Sequence, residues 1–151
     1  MNIKLILGAG ILSCLAAQVA AEAVPVRNIR PEPVMLYSTA RAVVACPDPV
    51  ALHEARLSIE ADDFAKFAVW ATQGDCVLLG PGSFGIGEKL HANRLMEVHF
   101  SQANVTDIQS NTTAKREDYG PLWVDLGNLA PLEEGRPRDR LNKIWDEAFA
   151  D

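Results

Sequence analysis

A chain of 151 residues, 48% hydrophobic and 23% charged, has the proportions of a single soluble globular domain. Those fractions exclude a disordered tail, a collagen-like repeat and a multi-pass membrane protein. The formal charge of −6 and an isoelectric point near 5.0 set nucleic acid aside as a partner, because phosphate backbones recruit basic surfaces.

Lys4, the apolar run over residues 5–15, and the small-x-small sites Val19-Ala20-Ala21 and Ala21-Glu22-Ala23 predict a secretory signal peptide over residues 1–21. The run is short and rich in glycine and alanine for a membrane span, and an uncleaved anchor is the alternative. A lipid anchor through Cys14 is a further alternative, since Ile11-Leu12-Ser13-Cys14 has the look of a lipobox. The expected destination is the periplasm or the extracellular space. Once the leader is removed the remaining thiols are Cys46 and Cys76, which in an oxidising compartment predict one disulfide. Asp48 and Asp75 beside them supply negative charge, the opposite of what a reactive thiolate needs.

Residues 22–33, with Pro25, Pro31 and Pro33, read as an extended spacer before a globular domain over 34–130. Residues 34–45 read as a strand. Asp48 then predicts a helix cap with Pro49 in the first helical position. Leu52, Ala55 and Ile59 follow at helical spacing, and after Asp62-Asp63 the stripe Phe64, Phe67, Ala68, Ala71 continues it, with Trp70 as core. Gly74 closes the segment, so residues 49–73 form one bent helix or two short ones.

From Cys76 the period changes to two. Residues 76–79 predict a strand, Gly80-Pro81-Gly82 a turn, and Phe84, Ile86 and Leu90 the inward side of the next strand. Met96, Val98 and Phe100 alternate with Glu97 and His99 after a hairpin near Asn93. Residues 101–119 are polar and read as a long loop, interrupted by a weak strand over 105–108. Leu122, Val124 and Leu126 predict a last strand, which gives Trp123 the outward parity. Residues 131–151 read as a linker and a short amphipathic helix carrying Leu141, Ile144, Trp145 and Ala148 on one face. Arg136, Arg138 and Arg140 at its start, with Asp146, Glu147 and Asp151 at its end, oppose the helix dipole. Such a helix needs a surface to lie on, either its own barrel or another protein.

Cys76-Val77-Leu78-Leu79-x-x-Gly82, Leu95-Met96-Glu97-Val98 and Gly120-Pro121-Leu122-Trp123-Val124 ending in Leu129 together resemble the bacterial Src-homology-3-like barrels of secreted and periplasmic proteins. In that family the last core strand often reads as glycine, then tryptophan–valine, then a leucine. The likeness covers about residues 76–130; the family's arginine-containing motif after the first strand is absent, and Pro121-Leu122 separates Gly120 from Trp123. It implies an α+β fold: a small antiparallel β-barrel over 76–130, preceded by the disulfide-tied helical segment and followed by the C-terminal helix.

Candidate chemistry is sparse. Gly80-x-Gly82-x-x-Gly85 matches a dinucleotide fingerprint, but strand alternation follows it where a helix N-terminus is required, so no nucleotide and no other cofactor is expected. His91 and His99 share outward parity and are weak metal candidates across a hairpin, with solvated histidines the expected outcome. Ser83 or Ser101 with His99 lacks a nucleophile elbow. Asp62-Asp63 reads as a helix cap and Glu133-Glu134 as solvated loop rather than paired catalytic carboxylates. The sequons at Asn104 and Asn111 matter only in a eukaryotic secretory pathway. Tyr37, Tyr119 and Trp123 remain as candidates to line a peptide groove, with Trp123 as core the competing reading.

The sequence therefore leads to an exported, periplasmic, non-catalytic binding or accessory protein. It would engage another protein or the cell envelope through the barrel groove or the tail residues Leu141, Ile144 and Trp145. One alternative is a secreted inhibitor that probes a basic cleft with loop 101–120. Another is a small hydrolase using His99 and a carboxylate.

Overall fold

Asp48 starts the first helix by accepting the Val50 N–H at 3.1 Å, while Pro49 occupies a position whose N–H would have had no acceptor. The computed structural model describes residues 23–37, 42–133 and 139–150; the signal peptide, Cys14, Arg136, Arg138 and Asp151 lie outside them. Helix α1 is Pro49–Glu60. Asp63 caps α2, Phe64–Gln73, by accepting the Lys66 N–H at 3.0 Å, and Gly74 ends it. The helical segment is two helices.

The strands are β1 (Val26–Leu36), β2 (Val43–Ala45), β3 (Val77–His91), β4 (Leu95–Asp107), β5 (Thr113–Asp125) and β6 (Leu129–Pro131). A 3-10 turn, Leu126–Asn128, precedes β6, and helix α3 is Asp139–Ala148. These strands make one antiparallel sheet in the order β5-β4-β3-β1-β6, with β2 paired to the start of β3. The fold is α+β and the sheet is open.

The proline-rich stretch expected as a spacer is the first strand. Its register with β3 slips between Asn28 and Glu32, so Pro31, which has no N–H to donate, sits at an interruption of the ladder. The single strand expected over residues 34–45 is instead the end of β1 and the separate β2. Gly80-Pro81-Gly82 does not turn the chain, because β3 continues through it with an irregular register between Gly80 and Phe84. That irregularity reverses the expected parity over residues 83–87, where Ser83, Gly85 and Gly87 are buried and Phe84 and Ile86 half-buried; Leu90, past a second register shift between Gly87 and Lys89, is buried as expected. A Cβ on Gly85 would meet the His99 carbonyl oxygen at 2.1 Å, and one on Gly87 would meet the Met96 sulfur at 2.3 Å. Glycine lets the strands close up at both places.

Residues 101–119 are mostly sheet rather than loop. β4 and β5 continue as a ribbon out to the pair Thr106–Thr113, whose hydroxyls lie 2.7 Å apart, and only residues 108–112 turn. Asp107 closes that turn by accepting the Ser110 N–H at 2.7 Å, and hydrogen bonds from Ser110 hold its carboxyl below the usual carboxylate range.

Two cores result. Val34, Leu90, Met96, Val98, Phe100, Leu122, Val124 and Leu129 fill the main one on one face of the sheet, with Leu141 of α3. The second lies under the helices, where Cys46, Cys76, Ala51, Leu52, Ala71, Leu95 and Trp123 meet. The disulfide Cys46–Cys76 ties its two sides together.

Candidate functional site

The residues singled out from the sequence do not converge. Tyr37 is exposed and lines an apolar cleft of about 370 Å³ with Met35, Phe84 and Leu132. Tyr119 is half-buried in a separate, more polar cleft with Val77, Asp107 and Arg116. Trp123 is 5% exposed. Its parity is indeed opposite to that of Leu122 and Val124, but the disulfide and α1 cover that second face, so the aromatic groove of Tyr37, Tyr119 and Trp123 does not exist as one surface.

The tail helix is also committed. Leu141 is 1% exposed in the main core, Ile144 and Trp145 pack against it, and the Trp145 Nε1–H donates to the His91 carbonyl at 3.2 Å. Arg140 pairs with the buried Glu32 of β1 at 2.8 Å, Arg94 lies over the Trp145 ring, and Arg27 over Phe149. The surface that α3 requires is the protein's own sheet, and its apolar stripe is not free for a partner.

The two histidines stand apart. His91 is buried, opposite Leu95 in the ladder, whereas His99 pairs with Ile86. The outward parity expected for His91 fails because both faces of the sheet are covered at that point. Its ring nitrogen Nδ1 accepts the Asn93 N–H at 3.1 Å, which fixes Nδ1 as unprotonated. Burial, reinforced by neighbouring His53, pushes its pKa below the ordinary histidine value, with Asp48 opposing. His99 Nε2 lies 2.6 Å from the exposed Asp118 carboxylate. Among the described residues no cluster of three or more His, Cys, Asp or Glu side chains could hold a metal ion. Ser83 donates to the Gly80 carbonyl at 2.8 Å and accepts the Asn104 N–H at 3.0 Å, which makes it a strand clamp. Gly80, Gly82 and Gly85 lie within β3, with no helix N-terminus after them to hold a pyrophosphate.

A feature that the sequence reading assigned to the core proves to be surface. Seven of the ten residues of α2 are apolar, yet only Ala71 is fully buried. Phe64 is 64% exposed and Val69 51%, and Ala65, Ala68 and Thr72 are exposed with them. At 100° per residue these five occupy about 140° of arc. That arc is uncharged and almost wholly apolar, and the exposed Gln73 and Lys66 border it beyond Val69. The stripe Phe64, Phe67, Ala68, Ala71 was expected to face inward; instead Phe67 and Trp70 are half-buried and Ala71 alone makes the full contact. The signal was present in the sequence as apolar residues spread around most of the helix, interrupted by Lys66, Thr72 and Gln73, a composition that normally means extensive burial.

Carboxylates flank α2 at both ends. Asp62 and Asp63 stand at the start of α2 and Asp75 just beyond its end, and Glu60 closes α1. Lys66 is matched by Glu54, 3.7 Å away, and Arg56 by Asp125 at 2.5 Å and Glu60 at 3.7 Å.

No helix among the described residues is long and apolar enough to cross a membrane. Compared with protein-family models, with curated proteins and with solved structures, the chain finds no match.

Proposed function

We propose that this chain is an exported, non-catalytic module that binds another protein through the outer face of α2. The observation that carries the reading is the exposure of Phe64, Ala65, Ala68 and Val69 on one helical face. Contiguous exposed apolar surface is characteristic of interaction sites, and an amphipathic or apolar helix is a common docking element.

Three further features support the parts of this reading. The Cys46–Cys76 disulfide suits an oxidising compartment, in keeping with the leader pattern of residues 1–21. The element order suits a Src-homology-3-like barrel: β1, an inserted helical pair, the meander β3-β4-β5, a 3-10 turn and a short β6 that returns to β1. Cys46 also pairs with Trp123 of β5, which brings β2 towards the far edge of the sheet. The non-catalytic part rests on what the reactive side chains already do. Ser83 clamps a strand, His91 holds the Asn93 turn, and His99 is bound to Asp118 on an exposed strand.

The test is affinity capture from the native envelope with wild type, Val69→Asp and Ser101→Asp. A partner retained by wild type and Ser101→Asp but lost by Val69→Asp supports the reading; equal retention by all three refutes it.

A further inference from the structure

We infer that the partner presents a helix with an apolar centre and cationic residues at both ends. This rests on α2 being the binding face and adds the chemistry of what covers it. The ten residues of α2 make a strip about 15 Å long at 1.5 Å per residue. Its centre carries Ala65 and Ala68 between the larger Phe64 and Val69, so that another helix can approach closely there. Its ends carry negative charge, Asp62 and Asp63 before the helix and Asp75 after it; among the described residues none of the three forms an ion pair, and Asp63 also caps the helix by accepting the Lys66 N–H. Lys66, the cation of α2, is already engaged by Glu54.

That charge arrangement selects among occupants. A second copy of this chain laid antiparallel would set Asp62 and Asp63 against its Asp75, and a parallel copy would set each cluster against itself. Both orientations oppose like charges. An anionic lipid surface meets the same repulsion. A helix bearing lysine or arginine about ten residues apart, across an uncharged stretch, meets opposite charge at both ends and apolar surface between.

Two synthetic helical peptides test this by fluorescence anisotropy. Each has a leucine–alanine stripe about ten residues long; one carries a pair of lysines at each end and its twin carries glutamates. The lysine-ended peptide binds the full chain, and its affinity declines as salt is raised. Asp62 and Asp75 have φ of 55° and 49°, values that asparagine also tolerates, so Asp62→Asn with Asp75→Asn removes charge without straining the backbone. That double variant weakens binding about fivefold at low salt, the size two exposed ion pairs allow. Val69→Asp abolishes binding while leaving the far-ultraviolet circular dichroism unchanged.

Equal affinity for the glutamate-ended twin overturns the inference. So does a dimer in sedimentation equilibrium that Val69→Asp dissolves, which makes a second copy the occupant. If Val69→Asp still abolishes envelope capture while the lysine-ended peptide fails, the partner's chemistry is wrong and the binding-module reading survives. Capture that persists in Val69→Asp removes that reading itself.

Discussion

His91 meets Trp123 edge-on, with ring centroids 5.8 Å apart, where the end of β3 passes beside the core under the disulfide-tied helices. One residue thereby touches three parts of the molecule. Its ring rests on Trp123, its Nδ1 holds the β3–β4 turn, and its carbonyl receives the α3 indole.

A pH dependence follows from that position. The folded protein favours neutral His91 because of burial and His53, with Asp48 the opposing carboxylate, so its folded pKa lies below the ordinary histidine value of about 6.5. Between the two values the unfolded chain binds more protons than the folded one, and stability therefore rises with pH across that window. This contribution is complete above about pH 6.5 and is lost as pH falls through it towards the folded pKa. Urea unfolding at pH 8 and pH 5.5 should show a lower midpoint in acid, and His91→Gln should shrink that difference. An identical difference in the variant assigns the effect to other groups.

The disulfide anchors the two helices at their entry and exit. Closing a loop of sequence separation 30 contributes about 3.6 kcal/mol in the chain-entropy account. Cys46→Ser with Cys76→Ser should lower unfolding stability by roughly that amount. Hydrogen exchange should rise first in α1 and α2. Uniform acceleration across β3 and β4 would show that the bridge staples the whole domain instead.

Gly85 and Gly87 predict different costs for the same substitution. Alanine at Gly87 collides with the flexible Met96 side chain, which can move, and should cost about 1–3 kcal/mol. At Gly85 the obstacle is the His99 backbone, which cannot move without breaking the β3–β4 ladder. Gly85→Ala should be the more destabilising by thermal melting, and a reversed order would contradict the close strand approach.

α3 is part of the domain. Leu141→Ala removes a side chain that is 1% exposed and should cost about 2–5 kcal/mol. Deleting the residues after Pro137 should destabilise the fold rather than merely abolish a binding function. An unchanged melting temperature after that deletion would restore α3 to the list of free surfaces.

Local features were the most legible in the sequence. Asp48, Asp63 and Gly74 mark helix ends through hydrogen bonds within four residues of themselves, and the two cysteines beyond the leader pattern leave one pairing. Features set by distant chain were less so. The parity of Phe84 depends on a register irregularity opposite Gln102, which no local pattern reveals. β4 and β5 beyond Ser101 are largely polar on the ribbon they share, so they lack the apolar alternation by which a half-buried strand is recognised. Trp123 alternates as expected, but its outer face is covered by a second layer contributed by residues 46–76. At α2 the apolar composition was legible, and its meaning was inverted: periodicity reports which residues share a face, while only packing shows whether that face is covered.

The central claim is that the outer face of α2 is covered in the cell. In-cell photo-crosslinking from a benzoyl-phenylalanine placed at Ala68, against the same group at Ser101, tests it most directly. One discrete heavier adduct is expected from position 68 and none from position 101. Position 68 giving no adduct, or the same adducts as position 101, would contradict it.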